Sequence, residues 1–168
     1  MRPATATTLR LGVLIGLIGL MAAIPPAQAT PPASADAEVW HRECAFAATM
    51  ADRDLQAFSS FVSEQALFHS GPTPLKGRAA VRGFWQRFYT EAAAPFSWYP
   101  DRAELLEPGR LAHTSGPVFG ADGALIGRFY SIWRREADGE WRVLHDHGGP
   151  PDAKDRERHA RPDPEACR

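Results

Sequence analysis

The sequence predicts an α+β fold in which helices cover one face of an antiparallel sheet. Apolar residues recur at helical spacing in two early stretches, through Val39, Phe46 and Met50 and again through Val81, Phe84, Trp85 and Phe88. From Phe96 onward the pattern shortens to that of strands. The pairs Pro108-Gly109, Asp122-Gly123 and Asp138-Gly139 divide that region at the spacing of hairpin turns.

The elements follow in order. Arg2 and Arg10 precede an apolar run from Leu11 to Ile24 that ends in Ala27-Gln28-Ala29, the pattern of a secretory signal peptide over residues 1–29. Fourteen apolar positions are short for a membrane span, and Pro25-Pro26 follows at once. The expectation is an exported chain, periplasmic or secreted, with no membrane association after cleavage. Residues 30–37 read as a linker, and a domain is predicted over 38–149. Its first helix begins near Asp36, a suitable N-cap, and carries Val39, Glu43, Phe46 and Met50 on one face. A second short helix is predicted over Asp52 to Val62, then a strand at Ala66 to His69 and a turn at Ser70 to Pro74. A third helix runs from Gly77 to about Glu91 and is stopped before Pro95. Four strands follow, at Phe96–Leu106, Arg110–Phe119, Ala124–Arg135 and Glu140–His147. Residues 150–168 hold five basic and five acidic side chains and almost no large apolar group, which predicts a flexible tail.

Without the leader, 17 basic side chains stand against 20 acidic ones, since Arg2 and Arg10 leave the 19 of the whole chain. The two signs are interspersed, and no basic stripe with interleaved aromatics occurs, which argues against nucleic acid as a partner. Serines have no nucleophile-elbow context, and neither a phosphate loop nor a dinucleotide fingerprint is present. Cys44 and Cys167 leave two readings open. An exported chain permits a disulfide between them, and a buried Cys44 with a free Cys167 is equally compatible with the sequence.

The last two strands carry most of the aromatic and imidazole groups. Phe129, Ser131 and Trp133 share one face of the first, and Arg128, Tyr130 and Ile132 share the other. On the second, regular alternation puts Trp141, Val143, His145 and His147 on one face and Asp146 on the opposite one.

A set of residues distributed over about 38–149 carries a family resemblance. It comprises Glu43 with Phe46-Ala47, Asp54-Leu55 with Ala57-Phe58, and Phe68-His69 with Leu75-Lys76-Gly77-Arg78. It continues with Thr114-Ser115-Gly116-Pro117, Gly127 through Tyr130, Trp133, Asp138-Gly139, Trp141, Asp146 and Gly148. The chain resembles the SnoaL-like domain family of unknown function, within the superfamily of nuclear transport factor 2 and ketosteroid isomerase. The resemblance implies a cone-shaped fold in which a curved antiparallel sheet wraps three N-terminal helices around an open-ended apolar cavity. It commonly implies a homodimer through the outer sheet face. It implies no particular reaction, because the superfamily includes isomerases, cyclases, dehydratases, binders and regulatory modules.

Within that frame the expected ligand is a small apolar or aromatic molecule, bound without a cofactor or metal. His69, Trp85, His113, Trp133, His145 and His147 are the expected lining. The alternatives are a cofactor-independent isomerase, cyclase or lyase using Glu43, His113 or His145 as acid or base, and an association module. Glu43 shares its helical face with apolar residues and so points inward, either as an acid or base with a raised pKa or as an internally paired structural carboxylate. Asp146 is expected to be structural, bound to an arginine such as Arg128 or capping a strand end. The catalytic tyrosine and aspartates of ketosteroid isomerase have no matching motifs here, so those roles are not carried over.

Overall fold

A computed structural model describes residues 35–107 and 109–168 of the chain. The predicted leader and most of the linker lie outside the described residues. The first helix, α1 (Ala35–Ala51), buries Val39, Glu43, Phe46 and Met50 along one side, as its spacing predicted. The second, α2 (Leu55–Ser60), starts where the Asp54 side chain accepts from the Ala57 N–H. The third, α3 (Arg78–Trp85), is shorter than predicted, and residues Gln86–Tyr89 continue it as a 3-10 turn. Gly77 opens α3 at a positive φ of 83°, and its N–H reaches back to the Ala66 carbonyl.

Seven strands form one mixed sheet: β1 (Val62–His69), β2 (Leu75–Lys76), β3 (Phe96–Trp98), β4 (Arg102–Glu107), β5 (Leu111–Gly120), β6 (Leu125–Arg135) and β7 (Trp141–Gly149). The order is β2-β1-β7-β6-β5-β3, and β4 also pairs with β5. All pairings are antiparallel except β1 with β7. The predicted single strand over Phe96–Leu106 is two strands, separated at Tyr99-Pro100-Asp101. Both halves still pair with β5. The proline has no N–H for the ladder, which suits a break at that position. Gly123 and Gly139 turn the β5/β6 and β6/β7 hairpins at positive φ.

The core lies between the helices and the inner sheet face. Phe46 and Phe58 stack at 5.0 Å between ring centroids, and Phe46 meets Trp133 edge-on at 5.8 Å. Gly116 is required by a close approach: a Cβ there would stand 1.9 Å from the Tyr99 carbonyl oxygen.

The C-terminal segment departs from the composition-based expectation of a flexible tail. Residues Ala153–Arg158 form α4, opened by a reciprocal capping box between Asp152 and Asp155. Asp155 is 4% exposed and accepts from Arg128, which also pairs with Asp101. His159 approaches Asp101 at 2.9 Å, and Cys167 is bonded to Cys44 on α1. Composition misled because the tail is held by ion pairs, a cap and a covalent link rather than by apolar burial.

Candidate functional site

A cavity of about 310 Å3 opens between α1, the α3 region and the inner sheet face. Its wall is mostly rings. Trp85, Phe88 and Phe96 contact one another at 5.3 to 5.9 Å between centroids, and Trp98 and Phe129 extend the lining. The polar groups on the wall are few: Asp146, Ser70 and His69. Trp85 Nε1 donates to Ser70 Oγ at 3.2 Å, which fixes the indole at the rim.

Asp146 reaches this cavity because β7 is not regular. Trp133 pairs with Val143, but Ile132 pairs with His145, so Leu144 is an extra residue opposite β6. Such a bulge reverses the alternation beyond it. Trp141 and Val143 therefore face the core, whereas beyond the bulge it is Asp146 that turns inward, beside its register partner Ser131. His145 and His147 turn to the outer face, which corrects the expectation that they share a face with Trp141 and Val143.

The Asp146 carboxyl takes one hydrogen bond among the described residues, from Ser131 Oγ to Oδ2 at 2.7 Å. Withdrawal from water raises its pKa to about 7; the Ser131 bond opposes the rise and the nearby Glu43 charge adds to it. Its expected partner Arg128 is instead committed to Asp101 and Asp155.

Glu43 lies behind the wall, fully buried. Its Oε1 accepts from Trp98 Nε1 at 2.8 Å, and its Oε2 accepts from Thr114 Oγ1 at 2.6 Å and Trp133 Nε1 at 2.8 Å. Burial raises its pKa, and the three donors oppose the rise. The sequence left open a proton-transfer group or an internally paired structural carboxylate, and the partners are neutral side chains.

Of the residues expected to line the cone, His69 and Trp85 stand on the cavity wall. Trp133 is 0% exposed and sits behind it as a donor to Glu43. His113, His145 and His147 lie on the outer face, in a row with Tyr130: His113 stacks with Tyr130 at 6.3 Å, Tyr130 with His147 at 4.9 Å, and His147 contacts His145 at 5.6 Å. His69 extends the row, 5.3 Å from His145. Partial burial lowers the pKa of His113 and His145, and for His145 the neighbouring imidazoles add to the effect. The imidazoles form a line rather than a cluster. The group among the described residues with metal-ligand spacing is Asp101, Asp155 and His159, where Arg128 already supplies the countercharge to both carboxylates. A larger surface hollow of about 440 Å3 is lined by Arg78, Arg134, Arg142 and the acids that pair with them, so its charges are mutually satisfied.

The cavity also includes Phe88 and Phe96, which the sequence reading did not select for the site. The apolar stripe of α3 pointed to Phe88. Phe96 and Trp98 are brought in by long-range pairing of β3 with β5, which leaves no local signal.

Comparison with known proteins places this geometry. The sequence profile of the SnoaL-like domain matches residues 43–153. A nuclear transport factor 2-like protein of unknown function from Pseudomonas putida is 20% identical, superposes with a TM-score of 0.56, and is matched over 71% of this chain and 89% of its own. A candidate dehydratase of the same superfamily from Streptomyces avermitilis is 18% identical, with a TM-score of 0.57 over 70% of this chain and 96% of its own. A candidate aromatic ring hydroxylase from Novosphingobium aromaticivorans is 20% identical, with a TM-score of 0.53 over 68% and 91%. At these identities the structures share the fold. No curated protein is similar in sequence. With the profile spanning Glu43 through the Asp146 bulge and the solved structures repeating the curved sheet, the chain belongs to the SnoaL-like domain family.

Proposed function

We propose that the protein binds a small, largely apolar, planar molecule in the aromatic cavity and moves a proton on it with Asp146, as a cofactor-independent isomerase, cyclase or lyase. The observation that carries this reading is a carboxyl with a pKa raised to about 7 on an otherwise ring-lined wall. A group titrating near neutral pH is present in both forms, so it can accept a proton at carbon and return it at another atom. Asp146 is the base in its ionised form and the acid once protonated. Ser70, on the same wall, is the group available to a substrate oxygen. The volume of about 310 Å3 is near the lower end of the roughly 300–1,000 Å3 common for small-molecule sites and favours one or two fused rings.

The test uses 2-tetralone, a planar ketone with exchangeable protons beside its carbonyl. Its binding should quench tryptophan fluorescence and weaken in Trp85→Ala. In deuterated water the protein should accelerate exchange of those protons, and Asp146→Asn should remove the acceleration while still binding the ketone. Binding without exchange would reduce the protein to a carrier. Absence of binding by this ketone and by 1-naphthol would sink the cavity reading.

Export is part of the same proposal. The apolar run from Leu11 to Ile24 and the Cys44–Cys167 bond both suit an oxidising compartment. A homodimer through the outer sheet face, where Tyr130 and Ile132 are half-buried in the single chain, completes it. Sedimentation of the mature chain at tens of micromolar tests the dimer.

A further inference from the structure

The cavity carboxyl and the cavity wall lie at the two ends of one row of inward polar side chains behind the surface. Thr114, Ser131 and Asp146 are register partners on β5, β6 and β7, and all three face inward. Glu43 on α1 meets the Thr114 end of the row. At that end Trp133 Nε1 bridges Glu43 Oε2 at 2.8 Å and Thr114 Oγ1 at 2.9 Å. At the other end Ser131 donates to Asp146. Trp98 belongs to both parts: its ring is cavity wall and its indole N–H is held by Glu43 Oε1 at 2.8 Å.

We infer that Glu43 is a positioning residue for the Asp146 site, which locks the Trp98 ring in the wall and, through its negative charge, further raises the pH at which Asp146 releases its proton. The donor set supports an ionised Glu43. Two of its three partners are indoles, which only donate, and Thr114 receives a donor from Trp133 and so passes its own proton to Glu43. A charge fixed this way in a water-poor interior acts on a neighbouring carboxyl more strongly than it would in solvent. Like charge nearby holds the proton on Asp146.

The other groups facing Asp146 do not supply this effect. The α3 region presents Trp85 and Phe88, β3 presents Phe96 and Trp98, and β5 presents Val118, all uncharged. From β1, Phe68 pairs beside Asp146 and His69 stands at the rim. His145 and His147 are neighbours on its own strand but point to the outer face. Ser131 is a neutral donor. Glu43 is therefore the charged group that reaches the Asp146 side from within the core.

This inference rests on the assignment of Asp146 as the proton-transfer group, yet its test needs no substrate. Carbon-13 NMR follows the Asp146 carboxyl through a pH titration of the full mature chain, in wild type and in Glu43→Gln. The glutamine keeps the shape and can hold Trp98 through its carbonyl oxygen. The Asp146 midpoint should fall by about one on the pH scale when the charge is removed. Thr114→Val, which removes one donor from Glu43 without touching the carboxyl, should lower it by less. Trp98→Phe cuts the link to the wall and also removes one donor from Glu43, so 2-tetralone should bind more weakly and the Asp146 midpoint should fall about as much as in Thr114→Val. An unchanged midpoint in both Glu43→Gln and Thr114→Val would show that Glu43 is structural only. Failure of 2-tetralone to bind wild type would instead count against the cavity assignment and leave the titration result standing.

Discussion

Asp146→Asn should make the protein more stable at about pH 8 and leave it nearly unchanged at about pH 4. Asparagine keeps the size of the side chain and an oxygen to accept from Ser131, while removing the titration. In the folded protein the Asp146 pKa is about 7 against an ordinary value of 3.8. A carboxyl whose folded pKa is raised binds its proton more tightly in the native state. Stability is then full below about pH 4, declines between about pH 4 and 7, and levels off above. At about 1.4 kcal/mol per pH unit, wild type above about pH 7 carries a penalty of about 4 kcal/mol. The carboxyl opens on a cavity rather than being sealed, so entering water trims this to about 2–4 kcal/mol. The assay is urea unfolding of both proteins across the pH range, plotted as the difference in free energy. Glu43 is also raised, with the same sign, but it is present in both proteins and largely cancels from the difference. A difference that stays constant within about 0.5 kcal/mol from pH 4 to 8 would refute the argument, because the carboxyl would then titrate as it does in the unfolded chain.

Three further outcomes follow from the packing. Glu43→Ala leaves the Trp98 indole N–H and the Thr114 hydroxyl proton without their acceptor in the core, while Trp133 keeps Thr114 Oγ1, and should cost about 3–5 kcal/mol by urea unfolding, whereas a loss under about 1 kcal/mol would contradict the hydrogen-bond assignment. Cys44→Ser with Cys167→Ser removes a link across 123 positions and should cost about 2–5 kcal/mol, with faster proteolysis beyond Gly149; equal protease resistance would show that the ion pairs alone hold the tail. Gly116→Ala drives a Cβ into the Tyr99 carbonyl and should destabilise by about 1–3 kcal/mol or more, so unfolding at the wild-type midpoint would mean the backbones are further apart than described.

Much of the scaffold was legible before any coordinates. The spacing of Val39, Glu43, Phe46 and Met50 identified the buried side of α1, including its carboxyl, because a helix repeats its faces without long-range help. The hairpins at Gly123 and Gly139 were equally local, since their positive φ angles are a property of the turn. Of the residues expected to line the site, Trp85 and His69 border the cavity. His145 and His147 were displaced for a specific reason. Strand alternation assumes an unbroken register, and one extra residue at Leu144 exchanges the faces of everything after it. That exchange took His145 and His147 away from the cavity and put Asp146 into it.

The sequence by itself thus determined the helices, the turns, the inward carboxyl of α1 and the family, all of which depend on residues close in the chain or on their linear pattern. Tertiary structure decided the rest. The bulge exists only in the pairing of β7 with β6, the ring-lined wall only where β3 meets the α3 region across the cavity, and the held tail only where Arg128 and Cys44 meet Asp155 and Cys167. Each is a relation between segments far apart in the chain, and side-chain chemistry alone does not specify which of many possible partners is met.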